Sequence, residues 1–292
     1  MFEPDVSPAF HRRGGPAARA AGRLSDWVVA RLRPGWIRNR LPFLLHRYER
    51  FAPCEWISLP KGRRLAVVAP HPDDESIGPG GFAAAWGAEA DRTVEVVFLT
   101  DGAAGDRRLR DPDLSADTQA AISAEVADRR RAEASAALGL LRASGHWLGG
   151  PDGKLALQED RIVDALAAHW AAHPPDLIMA PFPADRHVDH AATARIVGRA
   201  ALRSLAANLP LLAYEVWSPL PANVLFDISH SAETKWQAIA MHESQTATTD
   251  YVKAARALAT YRGIAGGRPC PAEAFYRSDV AEYAAMAQAL KP

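Results

Sequence analysis

Apolar residues along this chain fall into two patterns: short aliphatic runs, and longer stretches where they recur at helical spacing. Leu65–Val68 and Leu177–Ala180 are continuous apolar runs bounded by charged residues and proline. Such runs read as strands buried on both faces. Strands are predicted near 64–69, 93–100, 145–149, 176–182 and 210–217. Helices are predicted near 81–90, 116–142, 158–173, 189–207, 231–244 and 250–263. Strand followed by helix, repeated, predicts an α/β fold. The expected form is a three-layer, Rossmann-like, mostly parallel sheet with helices on both faces.

Residues 1–60 stand apart from that alternation. Ala17–Leu32 reads as a helix, Pro34-Gly35 breaks it, and Trp36–Phe51 mixes aromatic and aliphatic residues with Arg38, Arg40, Arg47 and Arg50. We expect an N-terminal basic and aromatic helical extension over 1–60 and a catalytic domain over 61–292. A helical pair packed on the core or at a homo-oligomer interface is the simpler reading of the extension. Peripheral contact with an anionic membrane is the functional one.

Composition narrows the class. At 292 residues, the chain suits one enzyme-sized domain plus an extension. A formal net charge of zero gives no general pull towards nucleic acid. Two cysteines, Cys54 and Cys270, make no disulfide framework. No run of about 20 apolar residues and no signal-type apolar stretch near the N-terminus is present. A cytoplasmic location is expected.

Candidate chemistry sits at the ends of two strands. The run Leu65–Val68 leads into Ala69-Pro70-His71-Pro72-Asp73-Asp74-Glu75. In open α/β sheets, ligands collect beyond the carboxyl ends of strands. His71 and Asp74 are three residues apart, so one turn of chain can aim both at a point, and Pro72 stiffens that loop. The strand at 176–182 leads into Pro183-Ala-Asp185-Arg-His187-Val-Asp189-His190, where the two histidines share the face of a first helical turn. Two His and a carboxylate with one open position is the pattern of a catalytic zinc site. Such a metal lowers the pKa of bound water to roughly 7, and a neighbouring carboxylate such as Asp73 can take its proton. Fe²⁺ and Co²⁺ suit the same ligands. Spacing alone does not say which histidine of the second pair binds metal.

Together these motifs resemble the PIG-L/LmbE-like family of zinc-dependent N-acetyl-sugar deacetylases. The segments carrying the resemblance are His71–Glu75, Gly80-Gly81, Leu99-Thr-Asp101-Gly102, Arg130-Arg-Ala-Glu133 with Leu138-Gly139, His187–His190, Asp227–Ser229 and His242–Gln245. They span roughly residues 63–250. The resemblance implies His71, Asp74 and His190 as Zn²⁺ ligands and Asp73 as general base. It makes His187 a group that does not bind metal but stabilises the tetrahedral oxyanion or assists protonation. Val188 stands where many members have Pro, and Pro79 precedes the glycine pair where a small residue is common. The implied activity is hydrolysis of the N-acetyl group of an amino sugar or glycoconjugate, free, nucleotide-linked or lipid-linked. The alternatives are an amidase for a larger acyl or thiol-conjugate amide, or a non-catalytic carbohydrate-binding relative. A phosphoesterase would want a second metal and more carboxylate ligands.

Other residues are weaker candidates. Asp189 reads as a first-turn residue or as an orienter of His71 or His187. Asp185 is either a substrate contact or an Asx-turn. Asp101 is a turn residue near the site that equally could support a ligand or substrate contact, Glu75 orients the loop or holds a substrate hydroxyl, and His242 is a further candidate. Arg107, Arg108 and Arg110 lie in a long polar loop beyond a strand end, either facing an anionic substrate or solvated. His169 and His173 read as a solvated helix face and His146 as part of an edge strand. Gly78-Pro-Gly80-Gly81 is neither a dinucleotide fingerprint nor a phosphate loop.

Overall fold

The computed structural model describes residues 54–290; the readings made for Ala17–Leu32 and Trp36–Phe51 lie outside them. In chain order the elements are β1 (Glu55–Ile57), β2 (Arg64–Ala69), α1 (Asp74–Ile77), α2 (Gly80–Gly87), β3 (Thr93–Thr100), α3 (Ala116–Leu141), β4 (Ala143–Gly150), α4 (Glu159–Ala172), β5 (Leu177–Pro181), α5 (Val188–Ser204), β6 (Pro210–Tyr214), β7 (Val224–Asp227), α6 (Ala232–Met241), α7 (Glu243–Thr246), α8 (Tyr251–Ala265), β8 (Ala272–Asp279) and α9 (Val280–Ala289).

The strands form one sheet in the order β1-β7-β8-β6-β5-β2-β3-β4. β8 runs antiparallel to both β6 and β7, and the other pairs are parallel. Side chains alternate across a strand. Leu65, Val67 and Ala69 therefore pack on one face with Phe82, Trp86, Phe98, Leu138 and Trp236. Ala66 and Val68, equally buried, face the other side. Helices α2, α3 and α6 pack together, as do α4, α5 and α9. A strand covered on both faces needs apolar residues at every position, which is why β2 and β5 read as continuous runs.

The order of connections positions the site. From β2 the chain moves to β3 and β4 on one side, then returns to β5 on the other side of β2. The loops after β2 and β5 therefore diverge at a switch point, where open sheets leave a crevice.

Several elements differ from the sequence reading. The sheet begins before residue 61, because Glu55–Ile57 pairs with β7. β7, β8 and α9 were not anticipated: β8, Ala272–Asp279, carries Glu, Tyr, Arg and Ser among its apolar residues and has no aliphatic run. The helix expected at 231–244 is broken at His242, whose backbone (φ −81°, ψ 59°) separates α6 from α7. Among the described residues, no helix is long and apolar enough to cross a membrane.

Candidate metal centre

The loop after β2 folds back on itself through Asp74. Its Oδ2 accepts a hydrogen bond from the His71 backbone N–H at 2.9 Å and lies 3.1 Å from His71 Nδ1. The same oxygen is 3.2 Å from His190 Nε2. One carboxylate oxygen thus stands between two imidazole nitrogens that arrive from different strands. All three residues are buried.

Carboxylates hold the far side of each ring. His71 Nε2 faces Asp152 Oδ1 at 3.2 Å and Asp189 Oδ2 at 3.3 Å. Asp189 also accepts the Gly153 and Leu155 backbone N–H groups, and Asp152 accepts that of Ala104. His190 Nδ1 faces Asp185 Oδ2 at 3.5 Å, and that oxygen accepts the Trp217 backbone N–H. Metal-bound histidines are commonly oriented in this way by a carboxylate on the second nitrogen. Asp185 Oδ1 accepts the His187 N–H, so the Asx-turn and the orienting contact coexist in one residue.

His187 caps the N-terminus of α5. Its Nδ1 accepts the Asp189 N–H at 3.2 Å, which leaves Nε2 for the site. Its ring lies 4.8 Å from that of His71 and 5.0 Å from that of His190. Among the described residues, two groups of ligand-capable atoms lie within 4.8 Å of one another: His71, His187 and His190, and, beyond the other edge of His71, His71, Asp152 and Asp189. His187 is therefore within reach of the same cation as the other two histidines.

Electrostatics favour positive charge here. Burial opposes charging of His71, but Asp152, Asp189 and Asp74 outweigh it and hold the imidazole well above its usual range. His190 is pushed up to about 9: burial opposes, and Asp74 and Asp185 prevail. Burial would raise Asp74, yet His190 and His71 hold its carboxyl well below the usual range. Both His190 nitrogens are buried without a partner in hydrogen-bond geometry. Orphaned imidazole nitrogens among excess carboxylates fit a divalent cation.

Asp73 is separate from that cluster. Its backbone is at φ 137°, one of two non-glycine residues with positive φ among those described. Strain of this kind persists where the surroundings over-determine it. The Asp73 N–H donates to Glu75 Oε2, and Glu75 Oε1 faces His242 Nε2 at 2.9 Å and accepts from Ser76 Oγ. Arg130 from α3 donates to Asp73 Oδ2 at 3.1 Å and to the carbonyls of Pro72 and Gly102. Gly102 sits at φ +69°, and a Cβ there would strike the Arg130 guanidinium. Burial pushes Asp73 up to about 6, Arg130 opposes it, and the Asp74 charge adds to it.

A buried ion pair closes the loop from below. Glu273 on β8 accepts the Gly81 and Phe82 N–H groups that open α2, and pairs with Lys235 at 2.5 Å. Lys235 also donates to the Gly78 carbonyl. A Cβ at Gly81 would lie 2.7 Å from Ile228, so the close approach requires glycine.

The structure thus brings together His71, Asp73, Asp74, Glu75, Asp185, His187, Asp189, His190 and His242. Asp101 instead caps its own turn through the Ala103 N–H. Arg107 and Arg108 lie on an exposed turn, where Arg108 pairs with Asp106 and Glu125. Asp152 and the role of Arg130 were missed. Pro151-Asp152-Gly153, a turn directly after a strand, was the available signal for the first.

Residues 66–201 match the family model PIG-L, described as GlcNAc-PI de-N-acetylase. No curated protein matches the chain. Among solved structures, the chain is 28% identical to the conserved protein TT1542 from Thermus thermophilus, covering 73% of this chain and 93% of that one, with a TM-score of 0.59. It is 22% identical to N,N'-diacetylchitobiose deacetylase from Pyrococcus horikoshii, covering 94% and 96%, with a TM-score of 0.64. It is also 22% identical to GalB, the 4-carboxy-2-hydroxymuconate hydratase of Pseudomonas putida KT2440, covering 74% and 95%, with a TM-score of 0.62. One fold therefore carries both a deacetylase and a hydratase, and the residues of the site must decide the chemistry.

Proposed function

We propose that this chain, whose residues 66–201 match the PIG-L family model, is a metal-dependent N-deacetylase acting on an amino sugar or glycoconjugate. The observation that carries the reading is the Asp74 oxygen shared between His71 Nδ1 and His190 Nε2, at 3.1 and 3.2 Å. His71, Asp74 and His190 would hold Zn²⁺. When bound, the cation would supply Lewis acidity towards the amide carbonyl and a water with a pKa near 7.

This chain's own residues do the rest. Asp73 is the general base: Arg130 occupies Oδ2 and leaves Oδ1 to take the proton of the attacking water. The protonated acid then delivers that proton to the departing amine. His187, half-buried and held by the Asp189 N–H, points Nε2 towards the oxygen that gains charge as the carbonyl becomes tetrahedral. Burial and the neighbouring His71 and His190 lower its pKa, so it stays neutral and acts through its N–H. Asp185 and Asp189 fix the ring orientations, and the Glu75–His242 pair fixes the strained Asp73 backbone.

The test is acetate release from free, nucleotide-linked, inositol-linked and lipid-linked N-acetylglucosamine, with metal content measured, for wild type and Asp73→Ala. Release that collapses in the variant at about one metal per chain supports the reading. Bound metal without release from any substrate overturns the deacetylase assignment, and absence of bound metal overturns the centre itself.

A further inference from the structure

A third loop opens on the edge of the sheet that carries the His/Asp centre. β6 runs parallel to β5, so the segment Glu215-Val216-Trp217-Ser218 leaves β6 beside the loop that bears His187. That segment is fixed without a ligand. Glu215 binds the Arg262 guanidinium through both oxygens and accepts the Leu220 N–H. Ser218 Oγ accepts the Arg186 N–H at 3.2 Å. The Trp217 N–H donates to Asp185 Oδ2 at 3.0 Å, the oxygen that faces His190 Nδ1. The backbone of Trp217 thus serves Asp185, and its indole is left over.

That indole is 51% exposed. Among the described residues the other exposed large aromatic side chain is Tyr261, and of the two it is Trp217 that meets a ring of the site. Its centroid is 6.5 Å from that of His187, with the planes 24° apart. Tyr251 braces it edge-on at 6.0 Å. Leaving an indole open forgoes apolar burial, and the edge-on ring holds its orientation. A braced aromatic face beside a polar centre is a surface that a ligand completes.

The chemistry of the substrate says which part reaches it. In an N-acetyl amino sugar, the amide nitrogen alone joins the carbonyl carbon to the pyranose ring. With the carbonyl oxygen at His187 Nε2, the ring must lie beside His187, where the open aromatic face is that of Trp217. A pyranose with equatorial substituents presents a face of axial C–H bonds, apolar and slightly positive, which suits the electron-rich face of an indole. We propose that Trp217 is the platform on which the sugar ring lies, a specificity-determining contact that favours an acetamide borne on a ring. The inference rests on the deacetylase reading of the site.

Methyl N-acetyl-β-glucosaminide on the metal-loaded full chain tests it, with Trp217→Ala and Trp217→Phe beside wild type and metal content measured in each. Trp217→Ala should raise KM by about tenfold or more and leave kcat nearly unchanged, because stacking holds the ground state and the transition state alike. Trp217→Phe keeps a flat face and should recover most of the loss. Each should hold about one metal per chain, since a backbone N–H supports Asp185. An unchanged KM in Trp217→Ala overturns the platform, and so does a raised KM that phenylalanine fails to recover. A fall in kcat with loss of metal makes Trp217 a support of Asp185 and overturns it as well. If wild type releases no acetate from this glycoside, calorimetry with the same compound decides. Binding weakened about tenfold in Trp217→Ala and recovered in Trp217→Phe then supports the platform; no binding, or equal binding in all three, overturns it. The deacetylase reading is judged apart, by acetate release across the wider set of substrates.

Discussion

Among the described residues, two histidine trios differ in whether their ligand atoms converge on one point. His71, His187 and His190 cross at 34° to 80°, with ring centroids 4.8 to 5.5 Å apart. His146, His169 and His173 stack instead: 15° and 4.0 Å for the first pair, 30° and 5.1 Å for the second. Rings that cross can aim nitrogens at one point, whereas stacked rings share faces. Carboxylates differ as well. Asp74, Asp152, Asp185 and Asp189 surround the first trio, while Glu95 alone pairs with His169 at 2.8 Å. His146 loses basicity through burial and the charge of His169, and His71 and His190 gain it. Counting histidines locates neither function nor metal; the convergence of nitrogens and the surrounding charge do.

The comparison breaks most sharply at the ligands. His190→Ala should remove the bound metal and lower kcat/KM by at least about a thousandfold, while His169→Ala should leave both unchanged, as metal analysis and steady-state kinetics would report. Asp73→Asn should keep the metal and lower kcat by about 10²–10⁴. In wild type, Asp73 is active as the carboxylate, and its pKa stands raised to about 6. kcat/KM should therefore fall about tenfold per pH unit on the acid side, with a midpoint at or below 6, since a bound cation favours the carboxylate. Asp185→Asn should weaken metal affinity about 10- to 100-fold, measured by competition with a chelator. The smallest effect concerns strain: Asp73→Gly and Asp73→Ala lose the same carboxylate, but glycine accepts φ 137°. Denaturant unfolding should find the glycine variant more stable by about 1–2 kcal/mol.

Legibility followed range. β2 and β5 could be read because a doubly covered strand excludes polar residues, and the His71–Glu75 and His187–His190 segments because their chemistry is compressed into one turn. The second histidine trio was expected as a solvated helix face and an edge strand; stacking across β4 and α4 is a contact that neither segment announces alone. Arg130 looked like its neighbours Arg129 and Arg131. It alone of the three is buried, and its partners Pro72 and Gly102 come from other elements. Glu273 sits in a strand with no aliphatic run, and its burial makes sense only beside Lys235 and the start of α2.

That last contact sets an order of assembly. Gly81 and Glu273 are 192 residues apart, so the ribosome makes the His71–Glu75 loop long before the carboxylate that clamps the helix start after it. Domains form from the N-terminus during synthesis, and distant pairings close late. The loop that carries His71 and Asp74 gains this clamp from β8, which pairs with both β6 and β7. A cation held by His71 and Asp74 would therefore find its loop clamped only after nearly the whole sheet has been translated.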